Sequence, residues 1–215
     1  MRDLLEIAED LKKLSDEVKS ISCDCGCENE TTFNDKVKLS TLNPGDVIVG
    51  DSGTEFVVLE HFHDGSTAVI SKGFMIESQV FDEDEPYFEE SSILNRIKEK
   101  CVPIIEDDFG FENIIPFAVD FTTIDNQKRY ETNLYHVRLI TFEEARKYNE
   151  LLVNVELNDW WWTLTPWSTA DRDWKYSLVV VSPRGGIDGI NCYDYFGVRP
   201  FLYLKSNIFV SKGDK

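Results

Sequence analysis

Residues 158–168 read NDWWWTLTPWS and place four tryptophans in eight positions, at Trp160, Trp161, Trp162 and Trp167. Residues 196–201 read FGVRPF. Four tryptophans carry more rigid apolar area than a surface loop can expose in a soluble protein. We therefore predict that Trp161 is buried and forms part of a rigid frame. Arg199 is predicted to belong to the same frame, where it pairs with a carboxylate or caps carbonyls. The stretch between these segments is polar, aromatic and rich in turn residues, and we predict that the frame displays it as a binding surface.

The order of the motifs in this part of the chain follows a family pattern. The motif WWWxxTPWS is followed by a valine-rich strand, a glycine-rich turn, FGVRPF and then LKSNIFVS. On this pattern residues 38–212 resemble a domain family of unknown function, common in gut Firmicutes and their prophages, whose ending is similar to C-type-lectin-like and formylglycine-generating-enzyme folds. The resemblance implies an α+β fold, a C-type-lectin-like domain with antiparallel β-hairpins and two or more helices. Because these motifs say little about a ligand, the resemblance informs the fold more than the function.

The composition limits the partners that the chain can have. Of its 215 residues, 42% are hydrophobic and 13% aromatic, which is enough for a core. Lys and Arg total 22 against 40 Asp and Glu, and the resulting net charge of −18 repels phosphate backbones. We therefore expect no nucleic-acid partner, and a cationic partner or a neutral protein or glycan is easier to accommodate.

The sequence also bears on localisation. No stretch approaches the roughly 20 apolar residues that span a bilayer, so we expect no membrane insertion. The start of the chain, MRDLLE, carries acids and lacks the apolar core of a secretory signal. We expect a cytoplasmic protein, or a virion-associated one if it is a phage structural protein.

The first residues follow a heptad pattern. Apolar side chains alternate in steps of three and four residues, at Leu4, Ile7, Leu11, Leu14, Val18 and Ile21. This spacing predicts an N-terminal helix over residues 1–22 that forms a short coiled coil and makes the chain a homo-oligomer. Three heptads are marginal for an isolated coiled coil, so the alternative is an amphipathic helix packed on the domain.

A polar segment, residues 23–37, is predicted to link this helix to the domain of residues 38–215. It contains Cys23, Cys25 and Cys27, whereas Cys101 and Cys192 lie far along the chain. A structural zinc site usually takes two separated pairs of ligands, and no second pair follows, so we expect free thiols and no metal or cofactor. Metal binding or interchain disulfides, completed by several chains, are the alternatives.

Local signals place the first elements of the domain. Strands over residues 47–49, 55–60 and 67–71 are predicted to form an antiparallel meander. Helices are predicted over residues 93–98, after a serine cap, and from Thr141, where Glu144 completes a capping box. His61 and His63 are expected on one strand face, the geometry of a two-histidine metal clip, although solvated histidines beside a turn are the simpler interpretation.

A hairpin is predicted at the centre of the displayed stretch. Residues 174–182 and 189–195 are candidate strands, joined through Pro183-Arg184-Gly185-Gly186. Strand alternation then puts Asn191, Tyr193 and Tyr195 on one face, open to a ligand. The alternative is that these tyrosines are buried against the tryptophans.

The resemblance extends to C-type-lectin-like variable proteins of diversity-generating retroelements, in which adenine mutagenesis randomises Asn-type codons near the end of the domain. It implies a ligand-binding surface. Its predicted members are Ser168, Asp171, Asp173, Trp174, Tyr176, Arg184, Asp188, Asn191, Tyr193, Asp194 and Tyr195. All of these except Trp174 are residue types that such codons encode. The expected ligand is a protein or a glycan.

Catalytic signals are weak. No combination of nucleophile, base and orienting group is evident. The motifs Glu-Pro-Asn and Trp-Asn-Asp of sugar-binding C-type lectins are absent, and Cys192 has no partner cysteine close in sequence for formylglycine-type oxidation. We therefore predict a non-catalytic ligand-binding module of phage or prophage origin. The alternatives are an intracellular acidic interaction protein, acting as a host-factor inhibitor or nucleic-acid mimic, and an enzyme on a formylglycine-generating-enzyme-like scaffold.

Overall fold

The computed structural model describes residues 36–84, 86–128, 132–169 and 172–214. The predicted coiled-coil helix, the cysteines of the predicted linker and Asp171 lie outside the described residues. Within them strands predominate and helices are short, and the domain belongs to the α+β class. The first strand begins at Lys36, inside the segment predicted as a linker.

A large antiparallel sheet forms one part of the domain. Its strands are β1 Lys36–Lys38, β2 Val47–Val49, β3 Glu55–His61, β4 Ser66–Ser71, β6 Ile114–Ile115, β9 Val137–Arg138, β14 Phe201–Lys205 and β15 Phe209–Lys212. The order is β1-β15-β2-β3-β4-β14-β6, and β9 also pairs with β14. The predicted meander is confirmed, because β2, β3 and β4 pair antiparallel in sequence order.

A second sheet carries the Trp-rich segment. Its strands are β5 Ile76–Val80, β10 Trp161–Pro166, β11 Ser177–Val181, β12 Ile187–Asn191 and β13 Tyr195–Val198. The order is β12-β11-β10-β13-β5, with only β10 and β13 parallel. A separate ribbon pairs β7 Phe117–Val119 with β8 Asn133–Tyr135.

The described residues also form four short α-helices and 3₁₀ turns at Leu39–Thr41, Phe88–Glu90 and Phe111–Asn113. They are α1 Ser92–Arg96, α2 Val102–Phe109, α3 Phe142–Lys147 and α4 Asn149–Leu152, with a π-helical turn, Ile97–Cys101, joining α1 to α2. The Ser91 side chain accepts a hydrogen bond from the Leu94 amide, which confirms the predicted cap. The capping box of Thr141 and Glu144 at the start of α3 is also confirmed.

The chain passes between the two sheets several times, and two of these crossings lie at one bend. One leads from β4 in the large sheet to β5 in the second sheet, and the other leads from β13 in the second sheet to β14 in the large sheet. The two crossings lie side by side, since the Ser71 amide donates to the Pro200 carbonyl oxygen at 2.9 Å and the Met75 amide donates to that of Val198 at 3.0 Å. The FGVRPF segment therefore lies at the bend that joins the sheets.

Candidate binding surface

The frame consists of Arg199 and two tryptophans on β10, Trp161 and Trp162. Trp161 and Trp162 are both fully buried. Because successive strand residues face opposite sides of a sheet, they enter different hydrophobic clusters, Trp161 with Phe201 and Trp162 with Phe81. The Trp162 indole donates a 2.7 Å hydrogen bond to the Gln79 carbonyl oxygen, which ties β10 to β5. The predicted burial of Trp161 is confirmed.

Arg199 holds the bend between the sheets. Its Nε donates to the Ser71 carbonyl oxygen at 2.9 Å, and its Nη1 donates to the Leu152 carbonyl oxygen at 3.0 Å. Of the two roles predicted for this buried side chain, the capping of carbonyls is the one observed. Burial lowers the pKa of Arg199 to about 9, so the guanidinium is charged at neutral pH.

The predicted hairpin is present, but its strands are shorter than predicted. Its β11 and β12 pair from Ser177 with Asn191 to Val181 with Ile187. Residues 174–176 form a turn in which Trp174 has a φ of 67°, a left-handed conformation that ends strand geometry. Residues 192–194 form a second turn, closed by a hydrogen bond from the Asp194 amide to the Asn191 carbonyl oxygen.

The shared strand face expected for Asn191, Tyr193 and Tyr195 is therefore wrong. Asn191 ends β12, Tyr193 lies in the turn and Tyr195 begins β13. The turn interrupts the alternation that a single strand would have had.

The backbone of Cys192 joins three segments beside this turn. Its amide donates a 2.7 Å hydrogen bond to the Tyr176 carbonyl oxygen. Its carbonyl oxygen accepts from the amides of Phe81 at 2.9 Å and Asp82 at 3.1 Å. We call this meeting point the Cys192 junction. It fixes the turn before β11, the turn after β12 and the end of β5 relative to one another.

Four exposed aromatic side chains lie on the turns that meet at the Cys192 junction and on the first residue of β13. The exposed fractions are 66% for Trp174, 43% for Tyr176, 51% for Tyr193 and 64% for Tyr195. These four residues form what we call the aromatic patch. The alternative that the tyrosines are buried against the tryptophans is wrong. Exposed, rigid aromatic rings on a fixed backbone are typical of binding surfaces, because they lose little conformational entropy on contact.

Carboxylates lie close to the aromatic patch. Burial raises the pKa of the Cys192 thiol to about 11, and the negative charges of Asp82, Asp84 and Asp194 add to this effect. The three carboxylates therefore lie near the same thiol. Asp82 also accepts hydrogen bonds from the amides of Asp84 and Ser92. The three carboxylates, which we call the acidic rim, favour a neutral or cationic ligand.

Ser168 departs from its predicted exposure. It is only 2% exposed, and its hydroxyl donates a 2.8 Å hydrogen bond to Asp125. The Arg172 guanidinium lies 3.3 Å from the same carboxylate. A groove of about 510 Å³ opens here, lined by Asp125, Trp167, Ser168, Arg172, Asp173 and Trp174. Ser168 therefore supports the wall of a groove that continues from the aromatic patch through Trp174.

The other predicted residues are divided between the two ends of the hairpin. Asp173 is exposed beside Trp174, and Asn191 and Asp194 are partly exposed at the same end. Arg184 is exposed in the turn between β11 and β12, and Asp188 pairs with Val180 near that turn. Since β12 separates Arg184 from Asn191, the structure does not bring Arg184 to the aromatic patch.

Sequence reasoning identified Asp194 of the acidic rim but missed Asp82, Asp84 and Asp125. Asp82 lies beside Cys192 through a contact between residues far apart in the sequence, in which the Asp82 amide donates to the Cys192 carbonyl oxygen. No local pattern reports such a contact. The exposed aromatic residues were found because their residue types suit a displayed loop.

Histidines and thiols do not form a metal site in the part of the chain that the structure describes. His61 lies on β3 with both ring nitrogens within hydrogen-bonding distance of protein oxygens, Thr67 Oγ1 at 2.7 Å and the Leu42 carbonyl at 2.8 Å. His63 lies beyond the end of β3, so the expected common face is wrong. No group of three potential metal-ligating His, Cys, Asp or Glu side chains occurs within the described ranges. Cys101 and Cys192 are buried free thiols.

The comparisons with known proteins concern this same part of the chain. Residues 121–206 are similar to a family described as a domain of unknown function (DUF6273). The match runs from β8 to β14 and includes the frame, the hairpin and all four residues of the aromatic patch. Asp82 and Asp84 of the acidic rim lie outside it. No curated protein and no solved structure matches the chain. No helix among the described residues is long and apolar enough to cross a membrane.

Proposed function

We propose that this chain is a non-catalytic binding module that captures a protein or glycan ligand through the aromatic patch. The observation that carries the proposal is the exposure of Trp174, Tyr176, Tyr193 and Tyr195 around a backbone fixed by the Cys192 junction. Tryptophan and tyrosine are enriched among the residues that dominate binding energy. The acidic rim adds a preference for neutral sugars or for peptide segments with lysine and arginine.

The proposed scaffold is a C-type-lectin-like domain of phage or prophage origin. The α+β composition, the two sheets joined at FGVRPF and the hairpin that pairs with Trp-rich β10 support the scaffold, whereas the phage or prophage origin rests on the resemblance of the motifs alone. In this proposal the three tyrosines of the aromatic patch belong to the varied surface of a retroelement-type protein. Trp174, which the randomised codons do not encode, is constant, as are the frame residues Trp161, Trp162 and Arg199. Homo-oligomers formed through the N-terminal heptads would present several such surfaces to a repetitive ligand and so raise the avidity.

The state of Cys192 supports a binding role over oxidase chemistry on a related scaffold. A reactive cysteine needs an accessible thiolate. The Cys192 thiol is buried, and burial together with the neighbouring carboxylates raises its pKa to about 11. At neutral pH the thiol is protonated. The contribution of Cys192 to the structure is made by its backbone amide and carbonyl, which form the hydrogen bonds of the Cys192 junction.

The proposal is tested by ligand selection with matched aromatic variants. The fluorescently labelled full chain is applied to a glycan array and to a yeast-displayed random-peptide library, in wild-type form and as Tyr193→Ala. Phe209→Ala is the matched control, because Phe209 is 65% exposed but lies on β15 of the large sheet. We expect Tyr193→Ala to weaken the selected ligands by about tenfold or more and Phe209→Ala to leave them unchanged.

The salt dependence of the same ligands tests the acidic rim. Peptide ligands are expected to carry lysine or arginine and to weaken as ionic strength rises, whereas glycan ligands are expected to respond little. Equal losses for Tyr193→Ala and Phe209→Ala, or ligands that bind Tyr193→Ala as tightly as the wild type, would place the binding surface elsewhere.

A further inference from the structure

A second aromatic groove lies between α3 and the large sheet. It has a volume of about 460 Å³, within the range of small-ligand sites. Its aromatic lining consists of Phe62, Phe117, Tyr148 and Tyr203. The groove adjoins a second depression of about 380 Å³, with which it shares Phe117, Glu143 and Glu144.

Stacked rings form the floor of this groove. Phe117 and Tyr203 stack with centroids 4.1 Å apart, and Phe62 lies 5.7 Å from Tyr203. Aromatic faces carry negative electrostatic potential and attract cations within about 6 Å of the ring centroid. The floor therefore offers an apolar surface that is also favourable for positive charge.

Two carboxylates lie close to these rings, and each is hydrogen-bonded to a cationic side chain. Glu144 accepts from Arg138 at 2.6 and 2.8 Å and from the Tyr203 hydroxyl at 3.0 Å. Glu60 accepts from the Tyr148 hydroxyl and from Lys147. Since Arg138 balances the charge of Glu144, Glu60 is the carboxylate that can act on a ligand cation once Lys147 moves away. Glu60 then keeps the Tyr148 hydroxyl as a hydrogen-bond donor.

A tethered cation shows which chemistry the groove accepts. The Lys147 ammonium lies 5.6 Å from the Phe62 centroid, 5.0 Å from the Tyr148 centroid and 2.5 Å from Glu60. Its side chain is about half exposed, and ion pairs of this kind are weak, so it can leave at little cost. The ammonium of Lys147 therefore occupies a position that a ligand cation can take.

We propose that this groove binds small quaternary ammonium ligands, with the cation over Phe62 and Tyr148 beside the Glu60 carboxylate and with Lys147 as a tethered competitor. A quaternary ammonium is weakly hydrated, so it loses little on leaving water for aromatic faces beside the Glu60 carboxylate, which keeps the Tyr148 hydroxyl as donor when Lys147 leaves. The site is separate from the aromatic patch and does not depend on the function proposed for it.

The test is a calorimetric titration of the full chain with choline and, separately, with 3,3-dimethyl-1-butanol. The second compound has the shape of choline without the charge. We expect choline to bind with a millimolar dissociation constant and the neutral compound to bind at least about tenfold more weakly. Phe62→Leu, which removes an aromatic face, is expected to weaken choline binding about threefold or more.

The Lys147→Met variant distinguishes this proposal from a passive aromatic surface. Removing the competitor should tighten choline binding by about three- to fivefold. The matched control is Lys175→Met, because Lys175 also lies over an aromatic ring, 4.7 Å from the Tyr176 centroid, but beside the aromatic patch. It should leave choline binding unchanged. Equal binding of the neutral compound, no choline binding at 50 mM, or the same response to both lysine variants would overturn the proposal.

Discussion

The guanidinium of Arg199 lies over the indole ring of Trp161, with its Cζ atom 4.8 Å from the ring centroid. The ion pairs of the described residues do not include Arg199, so this buried cation is balanced by an aromatic face and by carbonyls. One of those carbonyls belongs to Leu152, the last residue of α4, where the helix dipole is negative. A single side chain thus connects α4, the end of β4 and the Trp-rich strand at the bend between the sheets.

This arrangement predicts a large stability loss when Arg199 is replaced. Arg199→Met should lower the free energy of unfolding by about 2–4 kcal/mol, because it leaves two buried carbonyls without donors. Arg199→Lys should cost about 1–2 kcal/mol, since an ammonium cannot reproduce the planar contact with Trp161. Urea denaturation measures both. Arg184→Met, at an exposed turn, is the control and should change stability by less than about 0.5 kcal/mol. Equal effects at Arg199 and Arg184 would contradict the frame role.

A second prediction separates the frame from the displayed surface. Trp161→Ala should cost roughly 3–5 kcal/mol of unfolding free energy, as for a large aromatic side chain lost from a core. Tyr193→Ala should change it by only about 0.5 kcal/mol, because the ring is exposed. Chemical denaturation compares the two. The opposite ranking would show that Tyr193 belongs to the core and that the binding surface is elsewhere.

Local signals were enough to predict several elements. The capping box of Thr141 and Glu144, the meander of β2 to β4 and the burial of Trp161 all follow from residues close in sequence. The connecting turn of the hairpin at residues 183–186 was predicted, but the turns before β11 and after β12, both at its other end, were missed. A continuous run of strand-forming residues at 174–182 gives no sign that Trp174 adopts a positive φ.

Long-range contacts explain the rest of the difference. Asp82 reaches Cys192, and Lys147 reaches Glu60 and Phe62, only because tertiary packing brings separate elements together. No periodicity within one element encodes such pairs. Sequence reasoning therefore identified the exposed aromatic residues and Asp194 of the candidate surface, but neither Asp82 and Asp84 of its acidic rim nor the second groove.

The buried pair of Arg138 and Glu144 predicts a pH dependence of stability. Burial alone would raise the pKa of Glu144, but the Arg138 charge and hydrogen bonds from Arg138 and Thr141 outweigh it and hold the pKa below its ordinary value. A carboxyl with a lowered folded-state pKa contributes stability above its unfolded pKa and loses that contribution as the pH falls through the folded pKa.

Glu144→Gln tests this linkage. At pH 7 the variant should be less stable than the wild type by about 3–5 kcal/mol, because Arg138 is left buried without its partner. The difference should shrink as the pH is lowered from 5 towards 2, where Glu144 of the wild type becomes protonated. Thermal melts over this range measure it, with the exposed Glu143→Gln as the control. A difference that stays constant with pH would show that the Glu144 charge does not contribute.

The heptad pattern, which lies outside the described residues, predicts self-association. Leu11→Glu with Leu14→Glu puts like charges into the middle of the seam and should abolish oligomers. Lys13→Glu changes the net charge by the same −2 at a position off the seam and should leave them intact. Light scattering at tens of micromolar decides the outcome. A wild-type chain that is monomeric under these conditions would show that the coiled-coil prediction is wrong.

The cysteines are expected to fall into two reactivity classes. Burial raises the pKa of Cys101 to about 12 and, together with nearby carboxylates, that of Cys192 to about 11, so neither forms much thiolate at pH 8. Cys23, Cys25 and Cys27 are predicted to be free thiols in a polar linker and should alkylate fast.

Iodoacetamide labelling followed by intact mass measures this difference. The native chain should take up three labels rapidly and all five only in urea. A variant with serine at the three linker positions should take up none in the native state, and its melting temperature should stay within about 5 °C of the wild type, because the core does not depend on those thiols. Rapid labelling of Cys192 in the native chain would mean that the junction opens. It would also reopen the case for cysteine chemistry at this end of the hairpin.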